Sequence, residues 1–295
     1  MIPPRSEKKE AIRSGVLPVI LPLAPALHPT RSDPDAMRFL RGRRGIVISV
    51  LVLLAFGIPA AHAQAAPGPL TIIAIIWKWT PLIASGFLLN IIISFLAMAI
   101  GTVLGTPLGL AQISPQRPVR SVSWFVTQFF RNAPWLVLLF YAMLLLPFNM
   151  QIGGLSIALP DWVKATFGLS LPVMANMSEL VRGAIQSIPH GQWESAESLA
   201  FTRRQTLWMI ILPQCIKRML PPWMNLYAIL TMATVLTSIV GVAEVMTLTG
   251  RVLGAENRPG LLLPFYSFVL LLFFLYCYPI ARWTVRLEAK YAVDR

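Results

Sequence analysis

Acidic residues are scarce in this chain of 295 residues, with 12 Asp and Glu against 25 Lys and Arg. Charged residues make up only 13% of the sequence, while hydrophobic residues make up 56% and the mean hydropathy is +0.66. A soluble globular protein carries about 25% charged residues, so this composition places the chain in a lipid bilayer. The net charge of +13 does not indicate nucleic acid as a partner, because the cations lie between and beyond apolar segments, as in cytoplasmic loops.

Groups suited to catalysis or metal binding are also few. The two cysteines, Cys215 and Cys277, fall at a predicted cytoplasmic surface and inside a predicted membrane span, which suits neither a disulfide framework nor a zinc site. The three histidines are scattered through the sequence. There is no G-x4-G-K-[ST] phosphate loop and no nucleophile elbow. The sequence therefore predicts a protein that is not an enzyme and that holds no cofactor or metal of its own.

The first 63 residues divide into two segments. Residues 1–36 are rich in Pro and Arg and are predicted to be a disordered extension, with Met37 as an alternative translation start. Residues 37–63 carry a basic start, an apolar run and Ala61-His62-Ala63, which fits either a cleaved signal peptide or an uncleaved transmembrane helix. Both alternatives place Gln64 outside, so residues 64–85 are predicted to be extracytoplasmic.

Five apolar stretches follow and predict an all-α, polytopic membrane protein. Arginines and lysines flank the predicted inner ends, which gives a transmembrane domain over residues 86–286 and a cytoplasmic tail over residues 287–295. Residues 251–258 are predicted to form an outer loop. Gly101, Gly105 and Gly109 recur every four residues and predict a face that packs closely on another helix. The predicted spans are residues 86–111, 124–146, 169–188, 223–248 and 261–283.

Two groups of polar residues lie within these spans. Glu179 and Arg182 are three residues apart near the inner end of the third span, a spacing that predicts a helix-end ion pair. Hydroxyl and amide groups in the fourth span are candidates for a translocation path, and the alternative for the hydroxyls is a bond back to their own helix. The candidate path residues are Asn225, Thr231, Thr234, Thr237 and Ser238.

A polar segment, residues 191–213, separates the third span from the fourth; we call it the docking knob. Its first half predicts a short helix near Pro189, since proline favours a helix start. Its second half opens at Thr202 and has Gln205 three residues later, the spacing of a capping box. Pro213 is predicted to end this second helix. The knob is too short to be a domain and predicts a contact surface at the membrane face.

The knob resembles a known family. Glu194, Ala196, Ile210, Leu212 and Pro213 fit the spacing E-A-A-x3-G-x9-I-x-L-P of permease subunits in bacterial ABC importers. Residues 179–192 and 130–134 resemble the polar amino-acid branch of that family, the histidine and glutamine permeases.

Some positions depart from the family pattern. Ser195 replaces the signature's second residue and Ala200 its glycine. In a later motif, Met232 and Val235 replace a lysine and a serine, a difference that bears on substrate preference.

The resemblance implies a multi-pass protein of the bacterial inner membrane that takes up a polar amino acid. It implies ATP hydrolysis on partner ABC ATPase subunits, a second permease subunit and a soluble solute-binding protein outside the membrane. The ATPase would dock on the knob, with Glu194 pairing with a basic residue and Ala196 and Ala200 allowing close approach. The full set of predicted docking residues is Gly191, Glu194, Ser195, Ala196, Ala200, Ile210, Leu212 and Pro213.

Two other classes of protein fit the sequence less well. A secondary transporter or channel, working without an ATPase, would usually carry a coupling-ion site near the middle of the bilayer. The knob would have no purpose in such a protein. A membrane enzyme would need a convergent catalytic set, which the sequence lacks.

Overall fold

A computed structural model describes residues 68–152 and 155–291. The predictions for residues 1–36 and 37–63, and the chain end after residue 291, lie outside the described residues. Proline stands at the first helical position of α1, where its missing N–H costs no hydrogen bond. The helices are α1 (Pro69–Gln112), α2 (Arg117–Asn132), α3 (Trp135–Leu145), α4 (Asp161–Gln186), α5 (His190–Ser198), α6 (Arg203–Gln205), α7 (Leu212–Ala233), α8 (Val245–Glu256) and α9 (Leu262–Tyr291).

The described residues are predominantly helical, as predicted, and a short hairpin interrupts the helices between α3 and α4. Strands β1 (Asn149–Ile152) and β2 (Leu155–Ala158) pair antiparallel, with Asn149 opposite Ala158. This hairpin lies in the connector between the second and third predicted spans.

Within the described residues, three helical segments are long and apolar enough to cross a membrane: Leu70–Gln112, Arg203–Ser238 and Pro259–Lys290. A fourth is formed if α2 and α3 count as one span, although they are bent by 104°. The bend lies at Ala133 and Pro134, because the residue before a proline is disfavoured in helical geometry. The predicted second span is therefore broken. The predicted first span lies within α1, and the predicted fifth span lies within the segment Pro259–Lys290, which consists mostly of α9.

The predicted third span corresponds to α4, which is not among these candidate segments. Helix α4 contacts α1, α2, α3 and α7, and it buries residues along its whole length. It can carry more polar residues than a lipid-facing helix because its neighbours are protein.

The predicted fourth span ends early. Helix α7 passes into a 3-10 turn, Thr234–Ser238, and the chain then turns at Gly241, whose φ of 92° suits glycine. Helix α8 begins after Glu244 and ends at Asn257, which has a left-handed φ of 47°. An outer loop was predicted over residues 251–258. This was wrong for residues 251–256, which belong to helix α8 between its caps Glu244 and Asn257.

The predicted glycine stripe on α1 is confirmed as a packing face against α4. A Cβ atom on Gly105 would lie 2.5 Å from the backbone oxygen of Met174, and one on Gly109 would lie 2.6 Å from that of Ser178. A Cβ on Gly101 would overlap Val173. Only glycine lets the two backbones approach this closely.

Candidate functional site

The docking knob consists of two helical segments joined by a tight turn. Helix α5 starts directly after Pro189, and its last turn closes with two backbone bonds. The Ala200 N–H donates to the Glu197 carbonyl (2.9 Å) and the Phe201 N–H to the Ala196 carbonyl (3.1 Å), the pattern of a Schellman motif. Ala200 has a φ of 58°, so the position takes the left-handed conformation for which glycine is favoured.

The predicted capping box at Thr202 is confirmed. The Thr202 N–H donates to Gln205 Oε1 (2.9 Å), and the Gln205 N–H donates to Thr202 Oγ1 (3.4 Å). The chain continues through a π-helical turn, Thr206–Ile211, directly into α7. The prediction that Pro213 ends this helix was wrong, because the helical segment continues past Pro213, which follows the π-helical turn directly.

The predicted docking residues divide between the surface and the interior of the knob. Ala196 is only 1% exposed, so it packs α5 against the protein and is not accessible for the close approach that was predicted of it. Ile210 and Leu212 are half-buried against an inner apolar cluster around Ile211. The exposed members of the set are Gly191, Glu194, Ser195, Ala200 and Pro213.

The exposed side of α5 is acidic. Glu194 and Glu197 are both exposed, and their carboxylates make no hydrogen bond or ion pair within the part of the chain that the structure describes. They are three residues apart, and so they lie on neighbouring positions of one helix face. Helix α5 thus presents two unpaired carboxylates next to small side chains.

Glu179 and Arg182 lie together at the inner end of α4, as predicted. Arg182 Nη2 lies 2.6 Å from Glu179 Oε2, and Arg131 at the end of α2 approaches the same oxygen at 3.5 Å. Gln128 also donates to this carboxylate, and Arg182 donates to Gln186. The pair is thus part of a network that joins α2 to α4.

The predicted path residues of the fourth span do not form one surface in this chain. Asn225 is exposed, whereas Thr231, Thr234 and Thr237 are fully buried. Each of these threonines donates to a carbonyl three or four residues earlier, and Ser238 does the same. These four hydroxyl groups therefore donate hydrogen bonds back to their own helical segment, which was the alternative to a role in the translocation path.

A cavity of about 770 Å³ lies between α1, α7 and α9. Its walls are mostly apolar, and Tyr227 and Tyr276 meet there through a 2.7 Å hydrogen bond between their hydroxyls. None of the five predicted path residues lines this cavity.

A buried polar contact between α1 and α8 was not predicted. Asn90 Nδ2 donates to Glu244 Oε2 (2.9 Å) and to Thr234 Oγ1 (2.9 Å), while Asn90 Oδ1 accepts from the Val245 N–H. Glu244 also accepts from the Met246 N–H, and so it caps α8. Two features of the sequence could have identified this pair: Asn90 is a polar residue in a long apolar run, and Glu244 is an acidic residue directly before a helix.

The arrangement of apolar helices with an exposed knob between them fits a membrane transport component, and comparison with known proteins decides the family. Residues 101–291 match the family described as the binding-protein-dependent transport system inner membrane component. This chain belongs to that family. It is a multi-pass inner membrane component of a transport system, and the proteins similar to it are named as permease proteins of amino-acid transport systems.

Several curated relatives of this inner membrane component are similar over most of its length. It is 29% identical over 71% of its length to the inner membrane amino-acid ABC transporter permease protein YhdY of Escherichia coli (strain K12). It is 32% identical over 62% of its length to the L-cystine transport system permease protein TcyB of Bacillus subtilis (strain 168), and 32% identical over 72% to the probable amino-acid ABC transporter permease protein YckA of the same organism. The match spans 56% of YhdY, 75% of TcyB and 90% of YckA.

Solved structures show the same fold. A crystal structure of an amino acid ABC transporter with histidines matches at a TM-score of 0.63 and 24% identity, covering 73% of this chain and 96% of that one. An inward-facing structure of the MetNI methionine ABC transporter matches at a TM-score of 0.57 and 19% identity, covering 73% and 99%.

Proposed function

We propose that this inner membrane component is the permease subunit of an ABC importer for a polar amino acid. The observation that carries the proposal is the exposed face of α5, where Glu194 and Glu197 lie unpaired within the described residues, between membrane helices in a chain of this family. The curated relatives named above are amino-acid or L-cystine permeases, which supports the substrate class.

In this proposal the chain has five core spans, with α2 and α3 as one broken span and α4 as a protein-surrounded one. Two permease subunits enclose the path, and a solute-binding protein delivers the amino acid from outside. Met232 and Asn225 are both exposed on α7, which is compatible with a surface that faces the second subunit or the path.

ATPase subunits dock on the knob in this proposal. Glu194 on the exposed face of α5 pairs with a basic residue of the ATPase, while the side of α5 that contains the buried Ala196 packs on the protein, where α5 contacts the π-helical turn. Nucleotide-driven movement of the ATPase then shifts a two-state equilibrium of the permease between inward-facing and outward-facing arrangements. Without a phosphate loop in this chain, the energy of hydrolysis enters through that contact.

The charge reversal Glu194→Lys tests the docking surface. Because Glu194 is exposed and its carboxylate makes no hydrogen bond or ion pair within the described residues, the variant should fold normally and retain less ATPase subunit on co-purification. Glu288→Lys is the matched control, since Glu288 is exposed on α9 outside the knob. If the wild type, Glu194→Lys and Glu288→Lys all retained the same amount of ATPase, the docking assignment would be contradicted.

Transport itself separates the proposal from an ATPase-independent carrier. Proteoliposomes that contain the permease, its ATPase and its binding protein should accumulate the amino acid only with ATP. Accumulation by the permease alone would overturn the proposed function. Thermal-shift measurements of the binding protein against a panel of amino acids identify the cargo.

A further inference from the structure

Two arginines, one in the second half of the docking knob and one five residues after it, contact the C-terminal ends of two membrane helices. Arg203 Nη2 donates to the carbonyl of Ile113 (3.2 Å), the residue that caps the C-terminus of α1. Arg218 Nη1 donates to the carbonyl of Ser187 (2.7 Å) and to its Oγ (3.1 Å), and Ser187 caps the C-terminus of α4. We infer that Arg203 and Arg218 are positioning residues that transmit movement of the knob to α1 and α4.

The chemistry of these contacts suits a lasting attachment. The last carbonyls of a helix have no intrahelical donor, and the helix dipole places partial negative charge there. A guanidinium group suits both features of a helix C-terminus: it donates hydrogen bonds to the unpaired carbonyls, and its permanent positive charge is attracted to the partial negative charge. Ser187 Oγ donates its own proton to the Ala184 carbonyl, and so it is free to accept from Arg218.

The segment between the two arginines is held along its length. Ile211 and Cys215 are fully buried in the inner apolar cluster that also contains Met177, Val181 and Ile185 of α4. Helix α5 packs on the π-helical turn of this segment, and Gln214 Nε2 donates a 3.2 Å hydrogen bond to Gln192 Oε1. A displacement of α5 is therefore passed to residues 203–218, because the two are packed together as well as covalently linked.

Helices α1 and α4 receive the displacement as one unit. Their backbones are in close contact along the glycine stripe, so neither helix can slide past the other without steric overlap. Arg203 acts on the end of α1 and Arg218 on the end of α4. The two contacts thus join one cytoplasmic segment to both helices of a tightly packed pair, and this inference rests on the proposed function.

The chain offers a neighbouring control for each arginine. Arg204 follows Arg203 and Lys217 precedes Arg218; both are exposed, and neither makes a hydrogen bond or ion pair within residues 68–152 and 155–291. Substituting either control removes a positive charge from the same surface without removing a contact to a helix end. A difference between each arginine and its neighbour therefore reports the contact and not the charge.

The test uses the complete transporter in proteoliposomes and measures amino acid accumulated per ATP hydrolysed. Arg203→Ala and Arg218→Ala should retain the ATPase on co-purification and continue to hydrolyse ATP, while the amount of cargo moved per ATP falls about fivefold or more. Arg204→Ala and Lys217→Ala should keep the wild-type ratio. Arg218→Lys, which retains a charged donor at the α4 terminus, should recover part of the loss.

The outcomes separate the inference from the proposed function. An unchanged transport ratio in both arginine variants would overturn the positioning role. So would loss of ATPase retention in these variants, because it would make the arginines part of the docking surface. Failure of the wild-type complex to couple transport to ATP would instead overturn the proposed function.

Discussion

Ala200 carries backbone strain at the turn on which the docking knob is built. A residue with a Cβ atom in the left-handed region loses roughly 1 kcal/mol relative to glycine. The Schellman bonds of Ala200 and Phe201 hold this conformation in place. The strain lies in a short turn between α5 and α6, so it bears on the stability of the knob and hence on docking.

Replacing Ala200 with glycine should therefore stabilise the knob. For Ala200→Gly we expect the free energy of unfolding to rise by about 1 kcal/mol, because the left-handed conformation then carries no Cβ penalty. Thermal unfolding of the purified protein in detergent measures the change. Ala196→Gly is the control: Ala196 lies inside α5 and is buried, so glycine there should lower stability by about 1 kcal/mol. A lower melting temperature for Ala200→Gly would contradict the assignment of strain.

At the scale of elements, the contact between α1 and α4 organises the bundle. The glycines of α1 lie on one face because they are four residues apart, and they admit the backbone of α4 to a distance that no other side chain permits. Gly86 makes a similar close contact with α8, where a Cβ would lie 2.9 Å from the Val245 nitrogen. Helix α1 thus packs through glycine against two separate partners.

Gly105→Ala tests the helix contact. The new Cβ would meet the backbone oxygen of Met174, which cannot move aside as a side chain can, so we expect a loss of about 1–3 kcal/mol in stability. Gly254→Ala is the matched control: Gly254 lies in α8, a Cβ there would meet no atom within 4 Å, and the substitution should be neutral or slightly stabilising. Equal melting temperatures for the two variants would show that the α1–α4 contact can relax.

At the scale of the whole molecule, the two ends of α1 are held by different chemistry. Its C-terminal end meets Arg203 of the knob segment, whereas its N-terminal half meets the end of α8. There, Trp79 Nε1 and Lys78 Nζ both approach Glu256 Oε1, at 2.7 Å and 3.0 Å. The hydrogen bond from Trp79, followed by the bond and charge of Lys78, lowers the pKa of Glu256 below its usual 4.5.

This contact predicts a pH dependence with a defined sign. Because the pKa of Glu256 is lower in the folded state, its contribution to stability is complete above about pH 4.5 and is lost as the pH falls through the lowered pKa. Glu256→Gln should therefore lower the melting temperature near neutral pH, and the difference from wild type should shrink in acid. Glu288→Gln, at an exposed site, is the control. A difference that does not change with pH would exclude the ionised Glu256 as its cause.

Local features of this chain followed from its sequence. The capping box at Thr202, the short helix after Pro189, the Glu179–Arg182 pair and the glycine stripe all depend on residues a few positions apart, and local spacing suffices to predict such contacts. The membrane-embedded class followed from composition, because a chain with so few charges cannot be solvated as a soluble protein. The assignments of docking and path residues stay predictions.

Contacts between distant residues were decided only by the tertiary structure. Asn90 meets Glu244, Arg218 meets Ser187 and Ala196 is buried because separate helices come together, and no local spacing encodes these meetings. The same holds for α4, whose polar residues are tolerated because protein surrounds it. Sequence alone determined that the chain is mainly helical and membrane-embedded, since hydropathy acts along the chain. Packing determined where the spans break and which side chains meet, since that depends on how the helices are arranged in space.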